Sequence, residues 1–154
     1  MKNIIKKNKS NKEAIFFLLS YLGVIPFIAL TLLIWLLDEK NLQKFSDLLI
    51  FYTYLIFTFV GAIYWGITIK EKNQPKFRLV ISILPVFIIM IIEFFINLLI
   101  IKKIILIILF FNLFLIFEVF LFKKKVIPKW FYLLRVKLNV IVTFFLLLAL
   151  IKVF

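Results

Sequence analysis

At 154 residues the chain has room for one ordinary domain, but 66% of it is hydrophobic and 19% aromatic, far above the roughly 45–50% apolar content of soluble domains. Too little polar surface is left to face water, so lipid must cover the apolar remainder. The net charge of +13 does not point to nucleic acid, because Lys and Arg stand in short clusters between apolar runs of about 20 residues rather than along one polar face, and the lack of Cys and His removes disulfides, thiol nucleophiles, the common zinc sites and His-based acid–base chemistry together.

Residues 1–13 read as a basic cytoplasmic tail and 14–154 as an all-α integral membrane bundle of five transmembrane helices. The first apolar run, Ala14–Leu37, is too long for a signal peptide, and no small-residue cleavage site follows it. Gly23 and Pro26 fall in mid-span, and Ser20, Gly23, Phe27 and Thr31 share a face. A kinked helix that admits a close neighbour is expected there.

The second run, Leu48–Ile69, carries the densest local pattern. Tyr54, Thr58, Gly61, Trp65 and Thr68 fall on one continuous face. Gly61 and Gly66 read as a packing seam, with Tyr64 and Trp65 as interface anchors. A small-molecule or lipid groove is the sharper alternative.

The third run, Leu79–Ile101, contains Pro85 and an acid, Glu93, with Ser82, Ile89 and Asn97 in the same arc. A charged residue near mid-span is expensive and usually faces the bundle interior, so Glu93 reads either as a buried, hydrogen-bonded structural residue or as one with a proton or cation role. Only Lys102 and Lys103 separate this run from the fourth, Ile104–Phe122. A continuous helix would bury two ammonium groups, so a tight hairpin with the lysines at its turn is expected. Glu93 and Asn112 each stand nine positions from the nearer lysine, which predicts a hydrogen bond between them. Glu118, near the far end of the fourth run, lies too far from Glu93 in depth to form a carboxylate dyad with it.

The last run, Leu138–Ile151, spans only if residues 130–137 continue its helix, with Arg135 and Lys137 snorkelling to the surface and the span beginning near 134. Pro128, Trp130 and Arg135 suit a short interfacial helix at the headgroup level.

Counting Lys and Arg sets the orientation. The tail, the second loop and the fourth loop hold five, four and six, while the first loop, the hairpin turn and the C-terminus hold two, two and one. The positive-inside rule then places the N-terminus in the cytoplasm and the C-terminus outside a bacterial inner membrane.

Four segments together resemble a family of small bacterial and mitochondrial inner-membrane proteins of unknown function that includes human transmembrane protein 69. They are Tyr-Leu-Gly-x-x-Pro-Phe at 21–27, Phe-x-Gly-Ala-x-Tyr-Trp-Gly at 59–66, Ser-x-x-Pro at 82–85 and Pro-x-Trp-Phe-x-x-Leu-Arg at 128–135. That family typically carries a second Gly where Ala62 stands, and often His or Arg where Tyr64 stands. The resemblance implies a multi-span inner-membrane protein without an established reaction.

No catalytic, metal or cofactor motif emerges. The expected role is a non-enzymatic scaffold or assembly module, with a small transporter or proton-coupled carrier using Glu93 as the alternative. Expected partners are the lipid bilayer, anionic headgroups on the cytoplasmic face and other membrane proteins.

Overall fold

The computed structural model describes residues 13–70, 75–95 and 99–154. The described chain is helical with no strand, and five segments are long and apolar enough to cross a membrane: Glu13–Leu36, Lys40–Ile69, Lys76–Phe94, Ile100–Lys123 and Lys129–Val153. The tail lysines Lys2–Lys12, Lys72 and Asn97 lie outside the described residues.

The first span is broken into α1 (residues 13–22) and α2 (Ile25–Leu36). Pro26 sits in the first turn of α2, where it has no N–H to give to Leu22 and its ring crowds that carbonyl. The chain responds by tightening, so that Phe27 N–H donates to Val24 O at 3.0 Å. This frees the Gly23 carbonyl, which accepts a 2.8 Å hydrogen bond from the Tyr52 hydroxyl of the next helix. In lipid a freed backbone group needs such a partner.

Helix α3 (Glu39–Ile69) begins well before Leu48, because Leu42 and Phe45 pack on the core and Ser46 is fully buried. The segment expected to be a loop thus adds about two turns to the second span. At 31 residues α3 is about 46 Å long. It is also the most enclosed span, 44% buried against 17% for Lys76–Phe94. α2, α4 and α5 all pack on α3, and α6 closes the group against α2 and α5.

Helix α4 (Lys76–Met90) runs into a π-helical turn, Ile91–Phe95, and α5 (Ile100–Lys123) follows. The described part of the third span ends at Phe95, and Lys102 and Lys103 belong to the first turn of α5 rather than to the connection before it. The expected position was wrong because a lysine need not sit in a loop to reach the surface: its long stem carries the ammonium out from a helix end. Nor do the two helices pack along each other. α4 leans on α3.

Helix α6 (Lys129–Val153) is continuous from Pro128, its N-cap residue, so no separate interfacial helix precedes the fifth span. Trp35 Nε1 donates to Leu148 O at 3.1 Å and ties α2 to α6. One end of the bundle carries the C-terminus of α3, the N-terminus of α4 and the 124–128 connection, with Lys123, Lys124, Lys125 and Lys129 exposed there. We call it the basic end.

Candidate functional site

The buried faces of α5 and α6 share a seven-residue rhythm. On α5 the buried positions are Ile104, Ile107, Phe111, Phe114, Glu118 and Leu121, and on α6 they include Arg135, Asn139, Val142, Leu146 and Ala149. Three polar residues therefore occupy places that the spacing reserves for core side chains. Around the 124–128 turn, Glu118 lies five residues before the end of α5 and Arg135 six after the start of α6, so they meet at nearly equal depth.

Arg135 Nε donates to Glu118 Oε1 at 2.8 Å. Glu118 is 0% exposed and Arg135 8%. Arg135 does not snorkel to the headgroups, because a buried carboxylate waits for it in the neighbouring helix and satisfies its charge there. Tyr64, 1% exposed, lies close enough for its hydroxyl to feel both members of the pair. Neither that hydroxyl nor Glu118 Oε2 has a hydrogen-bond partner among the described residues.

One turn deeper on α6, Asn139 Nδ2 donates to Asn112 Oδ1 at 3.0 Å. Asn112 Nδ2 returns to its own helix at Ile108 O, 2.8 Å, and approaches Thr143 Oγ1 at 3.4 Å. Asn139 is 3% exposed, and its Oδ1 has no hydrogen-bond partner among the described residues. Thus α5 and α6 are stitched by an ion pair near the basic end and an amide pair below it. The core beside them is aromatic: Phe57, Tyr64, Phe111, Phe114 and Phe117 form a chain of ring contacts at 5.0–5.8 Å.

Arg135 and Asn139 form the polar wall of a pocket of about 180 Å³ between α1, α3, α5 and α6. Its other walls are apolar apart from Ser20, with Phe27, Val60 and Val142 among them. Leu19 and Phe59, which also line it, are 61% and 63% exposed on the outside of the bundle. The pocket thus has a flank toward the surface that lipid would cover.

Glu93 sits elsewhere. In the π turn at the end opposite the basic one, its Oε1 accepts from the Tyr54 hydroxyl at 2.7 Å and its Oε2 from Lys103 Nζ at 2.8 Å. It does not meet Asn112. The ion pair with Lys103, in the first turn of α5, places Glu93 at this end of the bundle rather than in mid-span. Its side chain is 34% exposed beside a hollow of about 290 Å³ that Asp47 also lines. As expected, Glu93 and Glu118 do not form a dyad, since each is committed to its own cation.

The remaining candidates divide between packing and surface. A Cβ on Gly61 would overlap the Ser82 carbonyl oxygen and stand 3.0 Å from Pro85 Cγ, so the α3–α4 crossing needs glycine there. Gly66 faces open space and is not part of the seam. Trp65 points outward, 42% exposed, because Tyr64 one residue earlier takes the core. Ser20, Gly23 and Phe27 line the pocket, and Thr31 is buried next to them in the chain order of the same face. Trp130 packs on Phe16 and Phe17 of α1 at 5.9 and 6.0 Å and so ties the start of α6 to α1.

Residues 12–151 match the model of a family described as "Protein of unknown function (DUF3429)". No curated protein and no solved structure matches the sequence. The chain belongs to the DUF3429 family.

Proposed function

We propose that this protein is a non-enzymatic, multi-pass module of a bacterial inner membrane that takes an amphiphilic molecule from the bilayer into the pocket between α1, α3, α5 and α6. The observation that carries this reading is the pocket itself: apolar walls, two convergent polar side chains at one end and a flank among lipid-facing residues. Its acids are not set up for chemistry, since Glu118 and Glu93 are each bound to a cation. That also lowers the support for a carrier built on Glu93, which is held by two partners at one end of the bundle.

The charge asymmetry supports an orientation with the basic end in the cytoplasm, where exposed Lys123, Lys124, Lys125 and Lys129 would meet anionic headgroups at about 1 kcal/mol each. We extend the relationship to human transmembrane protein 69 on the residues they share in pattern. Six of them, Gly23, Phe27, Phe59, Phe131, Leu134 and Arg135, line the pocket.

Native mass spectrometry of the protein released from detergent tests the reading. The wild type should retain one amphiphile per chain. Ser20→Phe, which puts a ring into the pocket from α1, should lose it without a fall in thermal stability. An adduct retained equally by the variant, or a wild type without one, would overturn it.

A further inference from the structure

The polar wall of the pocket has a definite hydrogen-bonding and charge signature. Arg135 spends its Nε on Glu118, and Arg135 itself lines the pocket. An arginine has five N–H donors, so most remain for an acceptor on a ligand. Asn139 spends its amide nitrogen on Asn112 and keeps an oxygen with no partner among the described residues, in a side chain that is 3% exposed. A buried oxygen without a donor is costly, and Asn139 lines the pocket, so a donor arriving there is what the site lacks. The wall therefore offers donors and asks for a donor in return.

Its net charge is zero, because Glu118 already neutralises Arg135. An anionic head would leave one uncompensated negative charge among buried groups, which is costly in an apolar setting. A head that only accepts would leave Asn139 Oδ1 as it is. A hydroxyl both accepts and donates. The size of the pocket, about 180 Å³, suits such a head and a few carbons, since a cavity of roughly 150 Å³ already accommodates benzene. A longer tail would leave between Leu19 and Phe59, the exposed members of the lining.

We infer that the pocket selects an uncharged, hydroxyl-bearing amphiphile, its hydroxyl placed between Arg135 and Asn139 and its chain running out toward lipid past Leu19 and Phe59. This rests on the pocket reading above and names its ligand class. The same chemistry occurs on a neutral glycerolipid of the bilayer and on a free long-chain alcohol.

The full chain in phosphatidylcholine nanodiscs would be photolabelled with three medium-chain probes that share a diazirine-bearing tail. One ends in a hydroxyl, one in the methyl ether of that hydroxyl and one in a carboxylate. The alcohol should label the 19–27 and 131–142 segments saturably. The ether, which accepts but cannot donate, should label about threefold to tenfold less, the value of one hydrogen bond, and the carboxylate less than the alcohol. Asn139→Leu should erase the difference between alcohol and ether. Because that comparison also exists in the wild type, a variant that fails to fold does not remove the test.

Competition by diacylglycerol would support a bilayer glycerolipid as the source, and competition by dodecanol alone a free alcohol. Equal labelling by alcohol and ether would overturn the hydroxyl assignment while leaving the pocket reading intact. Preference for the carboxylate would replace the ligand by an anion. Absence of all labelling in these segments would bring down both.

Discussion

A β-carbon at Gly61 would collide with the backbone of α4 at Ser82, while one at Gly66 would meet nothing. The two glycines look alike in the sequence, each five residues or fewer from Tyr64, and only the geometry separates them. Gly61→Leu should therefore cost about 1–3 kcal/mol or more by overpacking, whereas Gly66→Leu should stay within about 0.5 kcal/mol. Thermal unfolding in one detergent compares them, and equal losses would contradict the α3–α4 crossing described above. The polar residues show a similar split. Glu93 and Glu118 both stand in apolar runs, and the more central-looking one proved to be the terminal one. Glu118 was legible in principle, because it falls on the same rhythm as Ile104, Ile107, Phe111 and Phe114. Arg135 was not, as its position after Pro128 and Trp130 fits a headgroup residue equally well until its partner is known.

Among the elements, apolar runs of about 20 residues located all five spans, since a segment that crosses lipid as a helix satisfies its backbone within itself. Their ends were less legible. Lysines snorkel, so Lys102 and Lys103 marked a helix start rather than a turn. Asp38, Glu39 and Lys40 suggested a loop, whereas Leu42, Phe45 and Ser46 continued α3 inward. The end of α5 shows how a turn was built against local preference. Val126 N–H reaches Leu121 O at 3.0 Å and Lys125 N–H reaches Phe122 O at 2.9 Å, a Schellman closure with Lys125 at φ 58°. A left-handed residue with a β-carbon costs roughly 1–2 kcal/mol. Lys125→Gly should accordingly raise stability by about 0.4–1 kcal/mol, visible as a higher unfolding temperature. A fall would mean that the lysine side chain contributes more there than the backbone loses.

At the scale of the whole molecule, α3 is the hub, and two polar systems sit toward opposite ends. Tyr54, Glu93 and Lys103 clamp one end, and Glu118, Arg135 and the Asn112–Asn139 pair fasten α5 to α6 from the basic side inward. The absence of native cysteine makes topology easy to test. Single cysteines at Lys124 and at Asn41 or Phe154 should react with an impermeant thiol reagent from opposite sides of the membrane, Lys124 from the cytoplasm; labelling from the same side would require a different number of crossings. The central claim, however, is that a buried ion pair joins α5 to α6 and forms the polar wall of the pocket. A double-mutant cycle with Glu118→Leu and Arg135→Met tests it most directly. Each single change should cost about 3–5 kcal/mol by stranding a buried charge, and the double change should cost clearly less than the two together. Additive losses, with no coupling between the two positions, would contradict the account.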